Sequence, residues 1–140
     1  MLDINKQEMK YSRQGEKVTI YDRDENGEIK YIEMDGERIP VVLRETTGYS
    51  EPVLFSANIS NKLSEVLVKE FGIDDSSSYC QIVTDKGYLP IKAGDVIWKK
   101  SELGRDDDGL VDNKTADYVV KGVADEGLTA DLFLLQKTVK

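Results

Sequence analysis

The chain has 140 residues, 39% of them apolar and 33% charged, a size and balance that predict one globular domain able to bury a core without staples. A formal net charge of −8 and a pI near 4.6 argue against a binder of nucleic-acid backbone, because phosphate affinity rests on Lys and Arg. With no histidine and a single cysteine, Cys80, the sequence excludes an internal disulfide, a multi-cysteine metal site and every Ser-His, Cys-His or histidine-zinc arrangement.

After a polar N-terminal arm, residues 17–22 (KVTIYD) and 28–34 (EIKYIEM) alternate and are rich in β-branched and aromatic side chains. Asn26-Gly27 lies between them, which predicts a β-hairpin. Asp35-Gly36 offers a second turn into residues 39–43, where Pro40 donates no ladder hydrogen bond and demotes the strand to an edge or a bend. Pro52 constrains the extended stretch 53–59 in the same way.

One helix is predicted, from about 61 to 71. Ile59, Leu63, Val66, Leu67 and Phe71 recur there at spacings of three and four, Ser60 or Asn61 stands at its start, and Gly72 follows as terminator. So short a helix needs its apolar stripe buried against a sheet. Strands resume at 79–84, then a turn at Asp85-Lys86-Gly87, then 96–99 with Trp98. Residues 103–114 (LGRDDDGLVDNK) are polar and turn-rich and predict a mobile loop. Residues 117–123 and 130–139 close the chain as two strands joined around Gly127. No internal repeat stands out.

The pattern therefore predicts a mainly β (α+β) single domain, a small β-barrel or sandwich bearing one amphipathic helix. It divides into an arm-and-hairpin region, 1–46, and a helix-bearing β core, 47–140. No apolar run suits a spanning helix or a secretory signal, so a cytoplasmic protein is expected.

Residues 22–33 satisfy the calcium-loop spacing D-x-D-x-N-G-x5-E, with Asp22, Asp24, Asn26, Glu28 and Glu33 as oxygen-bearing candidates and Gly27 at the sharp turn. The flanks alternate like strands instead of helices, and a hairpin would carry Glu33 away from Asp22. A solvated turn is thus the main reading and a calcium site the alternative. Asp106, Asp107, Asp108 and Asp112 form a second acidic cluster, read as a solvated charge run. Cys80, in YCQIV, reads as a small buried hydrophobe. Trp98 and the seven tyrosines read as core and interface packing, since no basic groove accompanies them to make a stacking platform. No phosphate loop and no catalytic constellation is present, so neither an enzyme nor a cofactor is expected.

Three segments in order carry a family likeness: GYSEPVLFSANISNKLSEVLVKEFG (48–72), YCQIVTDKGYLPIKAGDVIW (79–98) and ADYVVKGVADEGLTADLFLLQK (116–137). The chain resembles the head-closure, or stopper, proteins in the neck of tailed bacteriophages and prophages. The most specific residues are Gly48-Tyr49 with Pro52, Ala57 to Ser60, Phe71-Gly72, Leu89-Pro90-Ile91, Ile97-Trp98 and Asp117 to Val120. Ser76 to Ser78 and the long acidic loop depart from the family pattern. The resemblance implies a sixfold or twelvefold ring of copies of itself, in the virion neck after assembly in the host cytoplasm. Such a ring would lie between the portal or adaptor and the tail-terminator or tail-completion protein, with packaged DNA passing through it unread. Another head-tail joining component is the alternative within that class, and an adaptor would be predominantly helical.

Overall fold

The computed structural model describes residues 6–73, 76–124 and 129–139. In chain order these form β1 (Gln7–Ser12), β2 (Glu16–Tyr21), β3 (Tyr31–Met34), β4 (Glu37–Pro40), β5 (Val42–Gly48), β6 (Val53–Ser60), helix α1 (Glu65–Phe71), β7 (Tyr79–Asp85), β8 (Val96–Trp98), β9 (Gly104–Arg105), β10 (Val111–Asp112), β11 (Tyr118–Ala124) and β12 (Ala130–Lys137). Strands β1-β6-β7-β12-β11-β8 join antiparallel into a closed barrel, sealed where Lys10 faces Trp98 and Tyr11 faces Ile97. The fold is thus mainly β with one helix, as the sequence pattern predicts.

Period-two alternation sends Met9, Tyr11, Phe55, Ala57, Cys80, Ile82, Ile97, Val120, Phe133 and Leu135 into one apolar cluster, completed by Leu89 and Ile91. Each large side chain so buried is worth about 1.5–3 kcal/mol. A second cluster, outside the barrel wall, joins Val96, Trp98, Val111 and Ala116. A third sets Leu67 of α1 on Leu134 and Ala124, with Leu63 and Phe71 beside them. Gly122 makes that docking possible: a Cβ there would stand 2.3 Å from the Phe71 ring.

Helix α1 begins later than the spacing predicts. Ser64, not Ser60 or Asn61, is its cap, accepting from the Leu67 N–H, and its own N–H donates to Gln81 Oε1 at 2.6 Å. Ile59, assigned to the helical stripe, instead packs on the barrel cluster from β6. Val66, assigned to the same stripe, is exposed. A helix of seven residues has one narrow buried face, and Leu67 and Phe71 fill it. Gly72 ends α1 at φ 62°, as expected.

The division at residue 46 does not hold. The polar N-terminal segment supplies β1, with Met9 and Tyr11 buried in the barrel. Residues 16–48 are an insertion between barrel strands β1 and β6. In it β2 pairs with β5 from Glu16↔Gly48 to Tyr21↔Val42, and β3 pairs with β4 from Tyr31↔Pro40 to Met34↔Glu37. Between the two ladders the Asp22 N–H donates to Val41 O, the Lys30 N–H to Asp22 O and the Val41 N–H to Lys30 O, at 2.8–2.9 Å. The result is a two-stranded arm with a side turn, residues 23–29, budding from its middle. The predicted hairpin of 17–22 with 28–34 is therefore reduced to one bridge, Arg23↔Ile29, because β2 takes the longer partner β5. The Asp35-Gly36 turn forms where expected, and Pro40 ends β4.

Residues 103–114, predicted to be a mobile loop, form the β9–β10 hairpin. Val111 is buried beside Trp98. The Thr115 hydroxyl accepts from Trp98 Nε1 and the Gly104 N–H, each at 3.0 Å, and donates to Asp112 O at 2.7 Å. The alternation that would have revealed this is too short to read in a two-residue strand. Gly127 lies outside the described residues.

Candidate functional site

The calcium pattern does not assemble a cage. Asp24 Oδ1 accepts from the Asn26 and Glu28 N–H groups at 2.9 and 3.0 Å, which makes it a turn-former. Asp22 pairs with Lys30 at 3.5 Å, Asn26 and Glu28 are exposed, and Glu33 has moved along β3 to stand across from Arg38. Among the described residues no three acidic, cysteine or histidine side chains converge as a metal site would need.

The second acidic cluster is the same device again. Asp106 Oδ1 accepts from the Asp108 and Leu110 N–H groups, both at 3.0 Å. Arg23 and Arg105 each donate through Nη1 to the carbonyl four residues on, Gly27 at 2.8 Å and Gly109 at 3.1 Å. Both glycines are left-handed, at φ 81° and 80°. Arg-Asp-Glu-Asn-Gly and Arg-Asp-Asp-Asp-Gly are thus one motif used twice, a repeat that the sequence shows at 23–27 and 105–109. The two turns meet, since a Cβ on Gly109 would stand 2.4 Å from an Arg23 guanidinium nitrogen. Arg44 reaches Asp108 at 3.8 Å and Arg105 reaches Glu51 at 3.0 Å, so side chains clasp the base of the arm to the β9–β10 hairpin.

Two carboxylates to which the sequence reading gave no role of their own, Asp95 and Asp117, fasten the barrel. Asp95, fully buried, accepts from the Gln14 N–H through one oxygen and the Lys92 N–H through the other, both at 2.9 Å. Asp117 accepts from the Lys99, Lys100 and Ser101 N–H groups at 2.8–2.9 Å and from the Ser101 hydroxyl at 2.7 Å. Burial acts to raise the Asp117 pKa, but the Ser101 hydroxyl and these amides outweigh it and hold the carboxyl well below its ordinary range. The available signal was an Asp beside a strand end, where it serves turns and caps.

The remaining candidates are structural. Burial pushes the Cys80 thiol up to about 11, against the opposing effect of Lys137 and Lys99, so it stays a protonated hydrophobe. Trp98 is buried, Tyr11 tilts against Phe55 at 5.6 Å, and Tyr31 lies under the Arg38 guanidinium at 4.2 Å. No aromatic platform results.

What the surface does offer is apolar. The β3–β4 tip exposes Ile32 (50%), Met34 (54%) and Ile39, and Val42 and Leu43 are exposed where the arm meets its side turn. On the barrel wall Leu54 is 68% exposed. A polar chain that leaves these side chains in water has surface suited to a partner. Among the described residues no helix is long and apolar enough to cross a membrane. No protein-family model, curated protein or solved structure matches the chain.

Proposed function

We propose that the protein is a head-closure subunit of a tailed-phage neck, one copy in a ring that closes the channel below the portal or adaptor and seats the tail. The observation that carries this reading is the arm: a two-stranded projection with an apolar tip, set on a barrel that has no free edge of its own. A closed barrel cannot extend its sheet into a neighbour, so association falls to projections and side-chain surfaces. The arm and the barrel wall are different surfaces, and contacts between unlike surfaces are those that build rings.

Two further observations support the reading. The chain is 52% strand and 9% helical, whereas an adaptor would be predominantly helical. A net charge of −8 lets DNA pass a channel wall without adhering, because attachment would need phosphate-neutralising cations.

Electron microscopy of a lysate from the source phage lacking this gene tests the proposal. Empty or leaking capsids beside intact, unattached tails are expected. Normal infectious particles would overturn it.

A further inference from the structure

We propose that the end of the barrel where Thr84 and Asp131 face each other, beside Tyr88, is a binding site for a primary ammonium group. The site is separate from the arm and stands or falls independently of the ring reading.

Alternation along β7 and β12 carries Cys80, Ile82, Phe133 and Leu135 into the barrel cluster, and the next inward positions are Thr84 and Asp131, which are partners in the ladder. The apolar core thus ends in a hydroxyl and a carboxylate. Both side chains are more than nine-tenths buried, at 3% and 7% exposure. The Gly87 N–H donates to Asp131 Oδ2 at 3.0 Å and fixes that carboxylate. Its other oxygen, Oδ1, and Thr84 Oγ1 are buried and find no hydrogen-bond partner in the protein. Ser12 and Asp95, the other polar side chains buried to this degree, both have theirs. Among the described residues no cation pairs with Asp131.

Thr84 also lines a cavity of about 180 Å³, with Ala57, Asp85 and Tyr88 among its other walls. Tyr88 reaches across to β6, where its hydroxyl accepts from the Ser56 N–H at 3.4 Å. A space of that size holds a group of a few heavy atoms. Cross-strand partners have Cβ atoms about 4.5–5.5 Å apart, so a group bonded to Thr84 Oγ1 lies within reach of Asp131 Oδ1. Lys6 and Asp85 at the rim balance in charge, which leaves Asp131 to set the sign of the site.

The chemistry of these oxygens selects the occupant. Two unpartnered acceptors need a donor, and an unpaired buried carboxylate needs a cation. Water would satisfy the hydrogen bonds and leave the charge. An arginine fork is best used on both oxygens of a carboxylate, and Gly87 already holds one of them. A divalent ion wants more carboxylates, and among the described residues no three acidic side chains converge. An ammonium is a compact cation with three donors, and an aromatic wall such as Tyr88 suits it.

Titration of the full chain, followed by the NMR amide signals of Thr84, Gly87 and Asp131, tests this. Butylammonium should shift them saturably, while n-butanol and potassium chloride at the same concentrations should not. Thr84→Val and Asp131→Asn should each weaken the binding by about tenfold or more. Thr84→Val deletes an unpaired polar atom and should fold as the wild type does, so it carries the test if Asp131→Asn fails to fold. No saturable shift would show that water satisfies the two oxygens, and the proposal falls. Equal shifts with potassium chloride or butanol would reduce the site to any monovalent cation or to an apolar cleft and would also overturn it, as would unchanged affinity in Thr84→Val. Nα-acetyl-lysine methylamide then separates the sources of the ammonium. Binding like that of butylammonium supports a lysine side chain of a partner, and its exclusion supports a small free amine.

Discussion

Replacing Asp117 with Ala removes the acceptor that ties the start of β11 to the chain leaving β8. Its carboxylate takes three backbone N–H groups and one hydroxyl, of which the Lys100 N–H is exposed and passes to water. The other three bonds are sheltered. Hydrogen bonds to a charged group are worth about 1.5–3 kcal/mol each, and discounting for the partly open site leaves a loss of about 3–4 kcal/mol. In a chain of this size that lowers the thermal midpoint by about 10 °C. Asp117→Asn keeps one acceptor oxygen and should lose about 1–2 kcal/mol. The pH dependence separates charge from shape. The folded carboxyl titrates below the unfolded-chain value of about 3.9, so its contribution is fully present above that value and is lost as pH falls toward the folded pKa. Urea unfolding should therefore show a gap between wild type and Asp117→Asn that is constant at neutral pH and narrows below about pH 4. An Asp117→Ala protein within about 0.5 kcal/mol of wild type, the range of an ordinary surface change, would refute the reasoning.

Gly122→Ala forces a methyl group into the Phe71 ring and should cost about 1–3 kcal/mol in urea unfolding. Most of that cost should vanish when Phe71→Ala is already present, which a double-mutant cycle reads directly. Leu67→Ala empties the fully buried contact of α1 and should cost about 2–4 kcal/mol, while Val66→Ala on the exposed side stays within about 0.5. Calcium at about 1 mM, the level at which weak extracellular modules bind, should leave the thermal midpoint where a chelator leaves it. A rise in midpoint that Asp22→Ala abolishes would restore the calcium reading of residues 22–33.

The sequence made the barrel strands legible wherever alternation ran long enough, as in 53–59, 79–84 and 130–137, because two inward residues per strand already declare a face. It misled where a strong local signal met a better distant partner. Asn26-Gly27 is a hairpin turn in any context, but β2 gains a full ladder by pairing with β5 instead, and sequence spacing does not register that gain. Val66 fits a helical stripe that seven residues are too few to complete. The acidic run at 106–108 is solvent-facing, as its composition reads; what composition does not register is the turn held by one oxygen of Asp106, and Val111 just beyond it, which make the segment a hairpin instead of a mobile loop. Comparing that run with residues 23–27 would have exposed the twin turns. The exposed tip was not legible at all: Ile32, Met34 and Ile39 look like core until the ladder shows that nothing covers them.

The arm can be shortened without touching the barrel, which gives the assembly reading its most direct trial. Lys30 and Val41 already face each other through a 2.9 Å backbone hydrogen bond, so residues 31–40 can be replaced by an Asn-Gly turn closing on that pair. The excision removes β3 and β4, whose side chains belong to none of the three buried clusters, and leaves the β2–β5 ladder and the Arg23 clasp intact. Its cost in folding stability should therefore stay within about 1 kcal/mol, on the scale of a surface change. Under the ring proposal, self-association should fall much further, because that reading gives the apolar tip the contact between copies. If the shortened chain unfolds, the tip is a folding element. If it folds and still forms rings, the tip is not the contact and the ring rests on another surface, with the exposed Leu54 of the barrel wall the place to look.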